Sequence, residues 1–236
     1  SMVATYDESF EKYHIENGNF EYKEAASKEA IQAIEAEGVK LYENYFYEQT
    51  VEKDGKESTL RIFKNRTEVD KVCLMKGEMP ADADEIAIDR MYAVNNEINV
   101  GDTISVDGID YKVSGYVALS DYSALFQSNS DMMFDSVLFG VAVVTDERFN
   151  SFDLDFMHMS YAWTYDEEPK NKKEEKEVSD DLAKVISQYG ELETFVPRYA
   201  NQAINFTGDD MDDMGDIFGD MFGGMFHGKS SGGSSR

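Results

Sequence analysis

The dipeptide Asp107-Gly108 sits between two alternating apolar runs, and few short signals restrict a chain's local fold more tightly. Ile104 and Val106 precede it; Ile109, Tyr111 and Val113 follow. An Asp-Gly pair in this setting favours the two-residue type I′ turn, whose twist matches that of the strands it joins. The pattern therefore predicts an antiparallel hairpin with one buried face. Gly101 and Gly115 bracket it, as glycines do where a strand bends or another backbone comes close.

The hairpin needs a core to pack on, and 236 residues with 42% apolar content can supply one. The chain carries 48 acidic and 22 basic residues, a net charge of −26. Such a potential repels phosphate backbones and anionic headgroups, so nucleic acid is not an expected partner. The longest nearly continuous apolar run, Val137 to Val144, falls far short of the roughly 18 residues a spanning helix needs. The N-terminal residues lack the basic and apolar regions of a signal peptide, so the sequence itself carries no export signal of that kind. The single cysteine, Cys73, has no partner for an internal disulfide and reads as a small apolar side chain in a strand.

The segments flanking the hairpin region share a pattern. Ser27 is placed to cap a short helix with Ala30, Ile31 and Ile34 on its apolar face; Gly38 follows its end, and Val39 to Tyr47 reads as a strand. Later, Ser179 is expected to cap a helix whose apolar face is Leu182, Val185, Ile186 and Tyr189; Gly190 ends it and Leu192 to Val196 continues as a strand. Candidate strands Asn19 to Tyr22 and Met159 to Tyr165 precede the two helices. The expectation is an α+β fold: residues 1–68 and 146–208 form two βαβ-like halves of one layer, and 69–145 form an inserted β-rich block. The charged stretch Glu167 to Asp181 reads as a solvated connection or helix extension. Residues 209–236 form an acidic Met/Gly/Phe tail and a Ser/Gly linker, expected to be disordered.

An ordered series of short pieces surrounds the hairpin. It runs Gly77, Glu78 and Pro80; Asp84-Glu85-Ile86-Ala87-Ile88; Val100-Gly101-Asp102-Thr103-Ile104; Tyr111 to Val117; and Asp121-Tyr122. In this order it resembles the extracytoplasmic, periplasmic-core or MacB-like, domain of FtsX/MacB-type ABC transporter permeases. The resemblance extends over roughly Phe10 to Asp210. It implies a discontinuous porter-like subdomain with an inserted sabre-like one, and a non-catalytic role at the extracytoplasmic face of the cell membrane. It also implies partners: a cytoplasmic ATPase subunit reached through membrane helices, and a second permease copy or an extracytoplasmic protein or peptide. The resemblance implies no cofactor. A free-standing exported binding protein and a hydrolase with an unrecognised acidic site are the alternatives.

Candidate sites are few. Gly223 to Ser230 matches the phosphate-loop pattern but lacks the preceding strand and following helix that such a loop requires, so no nucleotide site is expected there. Counting a calcium loop from Asp210 places Met214 and Met221 where ligands belong, so that reading also fails. His14, His158 and His227 lack metal-ligand spacing, and no catalytic or metal-binding set is nominated. In the polar stretch from Asp121 to Ser136, Leu125, Phe126, Met132, Met133 and Phe134 are costly to expose unless they fold back or meet a partner. They are the candidate partner contact.

Overall fold

The structure is a computed structural model that describes residues 14–122 and 137–198. Two sheets organise it. The first is four-stranded and antiparallel, formed by β1 (Gly18–Tyr22), β2 (Val39–Glu43), β10 (Met159–Tyr165) and β11 (Leu192–Pro197), in the order β11-β1-β10-β2. Helix α1 (Lys28–Glu35) joins β1 to β2, and α4 (Lys172–Tyr189) joins β10 to β11. Each strand-helix-strand unit leaves a gap between its strands that a strand of the other unit fills. The two halves therefore interlock as split βαβ units.

Alternation along β1 puts Phe20 and Tyr22 on the helix side. There they pack with Ile34, Tyr161, Trp163, Leu182, Ile186 and Phe195. Trp163 stacks on Phe195 with ring centroids 5.2 Å apart, and Phe20 on Tyr161 at 5.3 Å. Ser27 caps α1 as expected, its side chain accepting from the backbone N–H of Ala30. Ser179 does not cap α4. That helix begins seven residues earlier, where Asn171 accepts from the N–H of Glu174, and Ser179 is buried mid-helix with its hydroxyl donating to the Lys176 carbonyl. From Lys172 onward the charged stretch therefore forms the helix's first turns, while Leu182, Ala183 and Ile186 face the sheet. Tyr189, expected on the apolar face, is exposed. Gly190 is extended rather than left-handed; a Cβ there would lie 2.7 Å from the Tyr22 ring, so glycine is needed for close approach.

The second sheet has seven strands: β3 (Tyr47–Lys53), β4 (Lys56–Lys64), β5 (Cys73–Gly77), β6 (Glu85–Asp89), β7 (Thr103–Val106), β8 (Ile109–Ala118) and β9 (Phe139–Val144). Its order is β5-β8-β6-β9-β4-β3-β7, and β7 also pairs with β8, so the ladder closes into a barrel with β5 attached alongside. The predicted hairpin is β7–β8. Asp107 and Gly108 both have positive φ, as a type I′ turn requires, and Ile104 faces Tyr111 across it.

The β-rich block thus begins at Tyr47 instead of Val69. Strands β3 and β4, assigned to the flanking layer from sequence, pair with each other and with β7 and β9. The single strand expected over Val39 to Tyr47 breaks after Glu43, and the chain crosses from one sheet to the other at Asn44 to Phe46. The barrel interior holds Leu60, Ile62, Ile86, Ile88, Tyr111 and Val113, with α2 (Arg90–Asn95) and α3 (Asp146–Asn150) packed against the strands. Among the described residues no helix is long and apolar enough to cross a membrane.

Candidate functional site: a buried charge cluster beside the cleft between the sheets

Leaving β4, the chain runs through residues 65–72 across the back of the four-stranded sheet, where Val69 packs on Tyr42 and Ala162. A cleft of about 730 Å³ opens beside this crossing, lined by Tyr42, Tyr45, Lys64, Thr67, Met79 and Thr145 among others. Arg66 also lines it, and its guanidinium leads into a set of buried charges.

Three stretches far apart in sequence supply that set. Glu16 comes from the lead-in to β1, Arg66 and Asp70 from the crossing, and Ser120 and Asp121 from just beyond β8. Arg66 donates two parallel hydrogen bonds to Asp121, 2.5 and 2.9 Å long, and its guanidinium lies 4.1 Å from the centroid of the Phe63 ring. Asp70 has φ of 46°, a left-handed conformation that Asp tolerates better than most residues. Its Oδ1 accepts from the Glu16 backbone N–H at 2.8 Å and from the Ser120 hydroxyl at 3.4 Å. His14 closes the outside of the turn: its carbonyl accepts from the Asp70 N–H, and its ring Nδ1 meets the Glu68 carbonyl.

The polar accounting inside the cluster does not close. Glu16 Oε1, Asp70 Oδ2 and Arg66 Nε are all buried without a hydrogen-bond partner. Burial, followed by the charge of Asp70, holds the Glu16 carboxyl well above its ordinary range. Burial likewise pushes Asp121 up to about 6, against the opposing pull of Arg66. One carboxylate oxygen from each of Glu16, Asp70 and Asp121 lies within 4.8 Å of the others, so these are the residues that could hold a metal.

A second polar junction ties the sheets together. His158, just before β10, bonds through Nδ1 to Glu21 at 2.5 Å and stacks on Phe46 at 4.5 Å; Arg61 of β4 lies 4.2 Å from the centroid of the Phe46 ring.

Of the residues nominated from sequence, Leu125, Phe126, Met132, Met133 and Phe134 lie outside the described residues, as do residues 209–236. Sequence reasoning passed over the buried cluster. Its members have no motif spacing, and the one available sign was an acid set directly beside an apolar residue, as in Val69-Asp70 and Asp121-Tyr122.

No family model and no curated protein matches the chain. Among solved structures, its fold is similar to the extracellular domain of the noncanonic ABC-type transporter YknZ from Gram-positive bacteria. That match has 12% identity, 74% of this chain and 98% of that one covered, and a TM-score of 0.39. It is also similar to the periplasmic region of MacB from Actinobacillus actinomycetemcomitans, with 12% identity, 81% and 93% coverage, and a TM-score of 0.45. At this identity and these TM-scores, the reading of the site rests on its own geometry.

Proposed function

We propose that the chain is a non-catalytic extracytoplasmic domain of an ABC transporter permease subunit, which couples ATP hydrolysis by a cytoplasmic partner to engagement of a substrate or protein outside the membrane. One observation carries the reading. The start of β1 and the end of β11 lie side by side: Gly18 pairs with Pro197, and the Arg198 N–H donates to the Asn17 carbonyl at 2.9 Å. A domain whose first and last strands are neighbours suits insertion between two membrane segments, because both connections leave from one corner. The ordered motif series supports the same class. In this reading Leu125, Phe126, Met132, Met133 and Phe134 meet a second permease copy or an extracytoplasmic partner.

The test uses the full-length protein in cells. With Cys73→Ala as background, Glu57→Cys, exposed near the start of β4, should react with a membrane-impermeant maleimide in intact cells. Labelling only after permeabilisation sinks the extracytoplasmic placement. Reconstituted with its ATPase, Phe126→Ser with Phe134→Ser should abolish transport while the ATPase subunit still binds; unimpaired transport removes the partner contact.

A further inference from the structure

We propose that Glu16, Asp70 and Asp121 form a binding site for a divalent cation of the calcium type, which clamps the four-stranded sheet to the barrel. The inference does not depend on the transporter reading. Three observations carry it.

The first is donor chemistry. The three residues offer carboxylate oxygens within 4.8 Å of one another, and the buried Ser120 hydroxyl adds a neutral oxygen beside Asp70. An all-oxygen set of this kind suits a hard cation. Calcium–oxygen distances of about 2.3–2.6 Å let oxygens on opposite sides of one ion stand roughly 5 Å apart, whereas magnesium draws its ligands closer.

The second is the unpartnered oxygens. Asp70 is fully buried and Glu16 is 6% exposed, yet Asp70 Oδ2 and Glu16 Oε1 accept nothing. Carboxylate oxygens shut away from water in this state are costly unless they coordinate an ion or share a proton.

The third is charge. When all three carboxyls are ionised they outnumber the single guanidinium of Arg66 by two, an excess that one divalent ion would neutralise. Arg66 fastens Asp121 in place without exhausting the lone pairs of its two oxygens.

The ligands come from both sides of the sheet junction. Glu16 leads into β1, while Asp70 and Asp121 follow barrel strands β4 and β8. A bound ion would therefore cross-link the two sheets, and its removal would show in the stability of the whole.

The experiment uses chain stripped with EDTA and returned to calcium or magnesium at constant ionic strength. Calcium at about 1 mM should raise the melting temperature by roughly 5 °C and saturate, with magnesium weaker. Asp70→Asn should lose the response, while Asp110→Asn, at an exposed acid, should keep it. Because a buried substitution can unfold the chain, equilibrium dialysis of the unaltered protein with radioactive calcium gives an independent reading: one saturable ion per chain is expected. No saturable ion overturns the proposal, and so does a calcium response that Asp70→Asn retains. Melting that rises on acidification and ignores calcium also overturns it, assigning the cluster to shared protons.

Discussion

Phe46 and His158 exchange backbone hydrogen bonds of 3.2 and 2.8 Å and stack their rings nearly parallel, 8° apart, where the chain enters the barrel and where it leaves. The bridge continues the β2–β10 register beyond Glu43 and Tyr161, up to the residue that leads into β3, and the His158 ring carries the fastening on to Glu21 of β1.

This junction should respond to pH. The hydrogen bond that the His158 ring donates to Glu21 leads the effects that raise His158 above 6.5 in the folded state, outweighing the opposing effect of burial. A group raised on folding contributes its stabilisation fully below its unfolded value and loses it as pH climbs through the folded one. Stability should therefore fall as pH rises from about 6.5 upward, and His158→Gln should flatten that slope. Urea midpoints between pH 5.5 and 8.5 measure it; an unchanged slope in the variant removes His158 as the source.

The Arg66–Asp121 pair should be costly to break and cheap to replace. Their side chains are 5% and 9% exposed. Arg66→Ala leaves Asp121 buried without its cation and should cost about 3–5 kcal/mol. Arg66→Met combined with Asp121→Leu should regain most of that loss, measured by denaturant unfolding. A double variant as unstable as the single one would show that the guanidinium holds more than Asp121.

Gly18 faces Trp163 so closely that an added Cβ would sit 2.2 Å from the indole ring. Gly18→Ala must move a fully buried tryptophan and should cost about 1–3 kcal/mol, with a change in tryptophan emission. Gly38→Ala has open space around its Cβ but φ of 88°, so its cost comes from backbone strain alone, about 1 kcal/mol, with emission unaltered.

The β7–β8 turn needs a left-handed backbone at both central positions. Gly108→Val should destabilise the barrel by more than 1 kcal/mol, whereas Asp107→Asn should be nearly neutral, since Asn accepts positive φ as readily as Asp. Equal losses in the two variants would argue for a different turn.

Much of the framework was legible because it is written locally. Asp107-Gly108, the Ser27 cap, the Gly38 stop and the strands flanking each helix are short-range signals, and the structure contains each of them. Asp54-Gly55 carries the same turn signal, with φ of 54° and 75°, and turns β3 into β4; weighing it alongside Asp107-Gly108 would have begun the barrel near Tyr47. Ser179 misled because a serine ahead of an apolar face imitates a cap, while the true start lay in a charged stretch whose helical nature shows only once its inner face is packed. The charge cluster lies beyond any local reading. Glu16 and Asp70 stand 54 positions apart, and only the crossing of the chain between the sheets brings them together.

The interlocked sheet also dictates an order of events. Phe20 of β1 pairs with Tyr161 on one side and Phe195 on the other, so a chain emerging from the ribosome must carry β1 unpaired until β10 has been made, and half-paired until β11 follows. The barrel is complete in sequence by Val144 and can close first, drawing the two flanking segments toward each other before either has a neighbouring strand. For the outer sheet the barrel is thus a built-in template. Lesions in the β7–β8 turn should slow the appearance of tryptophan burial at Trp163, a residue in the other sheet.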